Sequence, residues 1–119
     1  LAKSENYQNH VLTQQIKVSA EYMASRLPEF SKSPIVADIR YKGLLAGIEL
    51  TKNNKPIVFL KNKEIINYFI MRQALMMGVH LRPLGNIMLL IPPLGIGKRD
   101  LEKLVNVQLK LLRRIEKLS

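Results

Sequence analysis

Cysteine and tryptophan are absent from this 119-residue sequence, and aromatic residues make up only 6% of it. Without cysteine the chain can form neither disulfides nor thiolate metal sites, which is compatible with a reducing compartment. No apolar run approaches the ~20 residues that cross a bilayer, and no basic-then-apolar targeting leader opens the sequence. We therefore expect a cytoplasmic protein without a membrane partner.

Acidic residues are scarce as well, since 9 Asp and Glu stand against 19 Lys and Arg for a formal net charge of +10. Such an excess raises nucleic acid or an anionic membrane as partners. However, the basic residues are spread over every segment, and no basic–aromatic pattern indicates a stacking surface for bases. The densest group lies on the wet side of a predicted helix and comprises Lys110, Arg113, Arg114 and Lys117. We expect a solvated basic surface and no nucleic-acid partner, with a basic nucleic-acid-binding module as the alternative.

Residues of the types that bind metals or catalyse reactions are few and scattered. His10 and His80 are the two histidines, and they lie far apart without ligand-type neighbours, so no metal site is expected. The tract "GIGKR" lacks the spacing of a phosphate-binding loop. Asp38 and Glu49 lie near predicted strands, but no base, nucleophile or oxyanion donor accompanies them. We interpret both carboxylates as edge or surface groups.

Three segments have the apolar spacing of helices. The first carries a stripe that we expect to end before Pro28, because the residue before a proline avoids helical geometry. The second is predicted to begin near Asn62 and to end at Gly78, where a left-handed cap is required. The third is a long amphipathic helix beginning near Asp100. The first stripe consists of Leu12, Ile16, Ala20, Met23 and Leu27.

Two further segments alternate in the manner of strands. "IVADIRYKGLLAGIEL" predicts two strands joined at a tight bend, and the polar "TKNNKP" after it predicts an exposed loop. "VHLR" and "IMLLI" flank "PLGN" and predict a second hairpin, with Gly85 in the turn. The economical packing of these elements is an α+β fold of two layers, in which helices cover one face of a mainly antiparallel sheet.

Arg82 is the charged residue whose position asks for an explanation. It lies between apolar neighbours, directly before Pro83 and at the predicted end of a strand. A planar guanidinium in such a position is suited to bind a carboxylate through two parallel hydrogen bonds. A surface charge beside a turn explains the same pattern. Residue reasoning alone therefore leaves both interpretations open.

The stretches "VADIRYKGLLAGIEL" and "GVHLRPLGNIMLLIPPLGI", followed by an amphipathic helix, resemble the carboxyl-terminal small domain of class III aminotransferases, pyridoxal-phosphate enzymes of fold type I. The resemblance covers nearly the whole chain. It implies a leading helix over residues 1–30, connecting from a large domain, and a small carboxyl-terminal domain over residues 31–119. It also implies that the cofactor's lysine, carboxylate and phosphate ligands lie in the large domain, outside this sequence. No catalytic or cofactor-binding residue is therefore assigned here, and the chain alone is expected to be inactive.

Within the class, "LRPLGNIMLLIPP" is most similar to the subfamily that acts in biotin synthesis. That subfamily transfers an amino group from S-adenosylmethionine to 8-amino-7-oxononanoate, and the arginine of this motif binds the carboxylate of the keto-acid substrate. The resemblance thus implies a substrate-binding role for Arg82, pyridoxal phosphate as the cofactor of the large domain, and a homodimeric enzyme. Acetylornithine, ornithine and 4-aminobutyrate aminotransferases of the same class are the alternatives.

Overall fold

The computed structural model describes residues 2–119, and their side chains from Val11 onward. Three helices and four strands follow one another in the order helix, three strands, helix, strand, helix. All strand pairs are antiparallel, so the predicted α+β class is confirmed. The elements are α1 (Ala2–Ser31), β1 (Val36–Lys42), β2 (Leu45–Lys52), β3 (Lys55–Pro56), α2 (Ile66–Met76), β4 (Ile87–Leu90) and α3 (Lys98–Leu118).

β2 is the central strand of the sheet, because it pairs with β1, with β4 and, at its end, with β3. Asn53 and Asn54 connect β2 to β3 with φ values of 55° and 62°, as a two-residue turn between twisted strands requires. The polar tract that we predicted as a loop is therefore a hairpin. Asparagine suits this turn because its short side chain tolerates left-handed dihedrals.

A single apolar core lies between the sheet and the helices. β2 contributes alternate residues, as a half-buried strand should, and Ala46, Ile48 and Leu50 are fully buried. α2 contributes four buried apolar residues, Ile66, Phe69, Ile70 and Ala74, although the helix begins later than expected, at Ile66. α3 contributes residues at helical spacing along its length, which are Leu101, Val105, Leu111, Leu112 and Ile115.

The predicted end of the first helix before Pro28 is wrong, since α1 continues through this residue to Ser31. A proline at this position removes one helical hydrogen bond, the one that its nitrogen would donate to the carbonyl of Ala24. Continuation also brings Phe30 into the core beside Leu27, at 0% and 4% exposure. Burial of a large aromatic side chain outweighs one lost backbone bond.

The predicted strand "VHLR" is also absent, because residues 79–83 form neither helix nor strand. The turn itself is present: Gly85 has a φ of 59°, and Leu84 and Ile87 exchange backbone hydrogen bonds of 3.0 and 2.9 Å. Continued in this register, the hairpin would place the carbonyl of Leu89 opposite Arg82. That carbonyl instead accepts a hydrogen bond from Nε2 of Gln108 on α3, at 2.9 Å. A helix side chain thus occupies the place of the missing strand.

Among residues 2–119, none of the helices combines the length and apolar composition that are needed to cross a membrane.

Candidate functional site

Arg82 lines a cavity of about 460 Å³ beside the free side of β4. Three segments form this cavity, namely residues 78–82, β4 with the stretch that follows it, and the first turns of α3. Its walls are mostly apolar, and Leu81, Leu89, Ile91, Pro93, Ile96 and Leu104 contribute to them. An apolar cavity with a few polar groups is the usual form of a small-molecule site.

The guanidinium of Arg82 is available to an external ligand. It is exposed, and it forms no hydrogen bond or ion pair with the described part of the chain. Since the expected strand does not form, its backbone is positioned by the buried Leu81 on one side and the half-buried Pro83 on the other. Five unused N–H donors in a planar fork suit a carboxylate acceptor.

Two charged residues of α3, Asp100 and Lys103, line the same cavity. The side chain of Lys103 lies close to Gly78. Its Nζ is 3.1 Å from the position that a Cβ would occupy on this glycine. Gly78 also has a φ of 78°, as predicted for the end of α2, so both backbone and space favour glycine there. Sequence reasoning missed Asp100 and Lys103, because only the tertiary fold brings α3 to Arg82.

The other residues that the sequence singled out lie elsewhere, with one exception. His80 lines the cavity of Arg82, whereas the side chain of His10 lies outside the described residues. Asp38 and Glu49 are direct partners in the β1–β2 register, and Asp38 accepts a hydrogen bond of 3.0 Å from Nε of Arg40. The structure brings these two carboxylates together, but neither lines the cavity. In the described chain, no three potential metal ligands cluster.

The described residues do not fit pyridoxal phosphate by themselves. A lysine that reacts with the cofactor's aldehyde must lose its proton, which requires a desolvated or electropositive pocket. Every lysine among residues 11–119 is exposed to solvent. A cofactor site would therefore need residues other than those whose side chains the structure describes.

The family model described as aminotransferase class III matches residues 4–112. The chain therefore belongs to the class III aminotransferase family. An adenosylmethionine-8-amino-7-oxononanoate aminotransferase of Nitratidesulfovibrio vulgaris is 32% identical over 106 residues, which are 89% of this chain and 20% of that protein. A putrescine–pyruvate aminotransferase of Pseudomonas aeruginosa is 29% identical over 99 residues, which are 81% of this chain and 22% of that protein.

Solved structures share the fold. The crystal structure of an adenosylmethionine-8-amino-7-oxononanoate aminotransferase from Methanocaldococcus jannaschii superposes with a TM-score of 0.78 at 24% identity, over 97% of this chain and 26% of that one. The chain thus spans about a quarter, or less, of the length of the relatives that it matches.

Proposed function

We propose that residues 31–119 are the small carboxyl-terminal domain, and residues 1–30 the leading helix, of an aminotransferase of biotin synthesis. The complete enzyme would transfer an amino group from S-adenosylmethionine to 8-amino-7-oxononanoate. Family membership and the name of the relative from N. vulgaris support this reaction. The enzyme would be a cytoplasmic homodimer. Its large domain would hold pyridoxal phosphate, which supplies the electron sink for the chemistry.

The observation that carries the proposal is the unpaired guanidinium of Arg82 at an apolar cavity. The keto-acid acceptor has a carboxylate at the end of an aliphatic chain, so it needs a cation next to apolar walls. Arg82 supplies the cation, and side chains such as Leu89 and Ile91 supply the walls. A charged hydrogen bond contributes roughly 1.5–3 kcal/mol, which suffices to select a carboxylate substrate.

Arg82→Ala in the complete enzyme tests this role. We expect kcat/KM for the keto acid to fall roughly 10- to 100-fold, as the loss of a charged hydrogen bond implies, while the half-reaction with the amino donor is unchanged. For Arg82→Lys, kcat/KM for the keto acid should lie between the values of the unaltered enzyme and Arg82→Ala, because lysine keeps the charge but lacks the planar guanidinium. Arg40→Ala is the matched control, since Arg40 is 90% exposed on β1 and does not line the cavity. Unaltered constants for the keto acid in Arg82→Ala would refute the assignment.

A second class III reaction is the alternative, and the match to the putrescine–pyruvate aminotransferase favours it. Acetylornithine, ornithine and 4-aminobutyrate are further substrates to compare. A screen of amino donors and keto acids on the complete enzyme separates these possibilities. Turnover with 8-amino-7-oxononanoate above all other acceptors supports the biotin reaction, and preference for pyruvate contradicts it.

A further inference from the structure

A line of six polar residues, five of them basic, runs along α3 on the side opposite its buried residues. The line advances by four, three, four, three and four residues, so at 3.6 residues per turn its members share one face. A helix face can be solvated without carrying charges of one sign only. Like charges four residues apart also repel each other and weaken the helix. The acidic residues of α3 lie to either side of the line, which consists of Arg99, Lys103, Asn106, Lys110, Arg113 and Lys117.

The first four members of this line surround a depression of about 500 Å³. Arg99, Lys103 and Lys110 form no hydrogen bond or ion pair within the described residues. One acidic side chain, that of Glu102, also lines the depression. The three cations therefore share a concave surface on which their charge is not neutralised by close contacts.

Asn106, which also lines this depression, adds a further hydrogen-bond donor. Its Oδ1 accepts a hydrogen bond of 2.8 Å from Nη2 of Arg26 on α1. Arg26 is itself fixed, because it also donates to Glu29 and to the hydroxyl of Tyr22. With its oxygen occupied, Asn106 keeps the Nδ2 donors for a ligand. Three cations and an amide N–H group together match an anion with several oxygen atoms.

We propose that the depression around Asn106 binds a compact polyphosphate group, such as the phosphate chain of a nucleoside triphosphate. The second half of the line is less suited, because two carboxylates, Glu29 and Glu116, balance the two cations Lys32 and Arg113 around a neighbouring depression. The lining of the first depression has three cations and one carboxylate, and this local excess favours a compact anion over an extended polymer. No aromatic side chain lines the depression, so phosphates rather than bases are recognised. This inference does not depend on the proposed aminotransferase reaction.

Calorimetric titration of the complete protein with tripolyphosphate and with ATP, without divalent cations, tests the inference. We expect both to bind, and the double variant Arg99→Gln/Lys110→Gln to bind at least about tenfold more weakly, since charged hydrogen bonds are lost. These two residues do not line the cavity of Arg82, so the result does not depend on substrate binding. In Asn106→Asp, a carboxylate replaces the donor, and binding should weaken as well.

Lys42→Gln/Lys55→Gln is the matched control, because it removes the same charge from exposed positions on the strands. It should change affinity less than about twofold, since distant surface charges are screened. Equal losses in both double variants, or no binding of either phosphate compound up to about 1 mM, would overturn the proposal. A single-stranded oligonucleotide that binds more tightly than ATP through Arg99 and Lys110 would also overturn it and would favour a nucleic-acid partner. Thermal unfolding verifies that each variant is folded.

Discussion

α1 and α3 flank the same core but contribute to it very differently. α3 buries apolar residues from Leu101 to Ile115. α1 is longer, yet among its side chains from Val11 onward the buried apolar ones, those of Met23, Leu27 and Phe30, belong to its last turns. Earlier in α1, Val11, Leu12 and Val18 are 46%, 38% and 65% exposed. Helix length therefore does not indicate how much a helix stabilises this domain, whereas the position of its buried residues does.

The largest effect is expected when Phe30, the buried aromatic residue of α1, is replaced. Phe30→Ala should lower the free energy of unfolding by about 3–5 kcal/mol, because it leaves a cavity in the core. Val18→Ala on the exposed part of the same helix should change it by less than about 0.5 kcal/mol. Urea unfolding followed by circular dichroism measures both. If the two variants are equally destabilised, α1 contributes to stability along its length and the contrast with α3 is incorrect.

The parts of the fold that could be predicted are those in which burial repeats along the chain. The buried residues Ala46, Ile48 and Leu50 of β2 alternate, so their period of two indicates a half-buried strand without knowledge of the neighbours. The apolar stripe of α3 repeats with the helical period in the same way. In both elements the local pattern and the tertiary environment agree, and the sequence alone is sufficient.

The parts that could not be predicted depend on distant residues. Pro28 is a local signal for a helix end, and the burial of Phe30 overrides it. "VHLR" is a local signal for a strand, but Gln108 occupies the carbonyl that the strand would need. The candidate site shows the same limit, since Arg82 was identified from its sequence context and Lys103 was not. That lysine reaches the cavity only because α3 packs beside it.

Two glutamines provide a sharper comparison of the helices, because both donate to backbone carbonyls. Gln108 of α3 is 1% exposed and donates to Leu89 at 2.9 Å. Gln15 of α1 is exposed and donates to Gly95 at 3.0 Å and to Ile96 at 3.3 Å. Gln108→Ala should lower the free energy of unfolding by about 1–3 kcal/mol, since it removes a buried side chain and its hydrogen bond to the half-buried Leu89. In Gln15→Ala, water can replace the lost donor, and the cost should stay below about 1 kcal/mol.

Equilibrium unfolding of the two glutamine variants under the same conditions gives the difference directly. Among the described side chains, the Oε1 atom of Gln108 has no hydrogen-bond partner, so its removal offsets part of the cost. Gln108→Leu keeps most of the side-chain volume but makes no hydrogen bond. Its comparison with Gln108→Ala therefore separates the effect of lost packing from that of lost hydrogen bonding. If Gln15→Ala and Gln108→Ala lower the free energy of unfolding equally, burial does not determine how much these hydrogen bonds contribute to stability.

The smallest expected effect concerns the Arg26–Glu29 pair, next to the contact between Arg26 and Asn106 that ties α1 to α3. The hydrogen bond from Arg26 lowers the pKa of Glu29 below its ordinary value. The carboxyl group thus binds its proton less tightly in the folded chain than in the unfolded one. Its contribution to stability is complete above the unfolded pKa, about 4.3, and is lost as the pH falls through the lower folded value.

Glu29→Gln should therefore be slightly less stable than the unaltered chain at pH 7, and the difference should disappear on acidification below about pH 4.3. The effect is small because the pair is partly exposed to solvent. Glu21→Gln, at an exposed position of the same helix without an ion pair among the described residues, should show no such change with pH. Thermal unfolding of the unaltered chain and the two variants between pH 2 and pH 7 measures these stability differences. A difference for Glu29→Gln that persists at low pH would mean that helix propensity or packing, rather than charge, joins this end of α1 to α3.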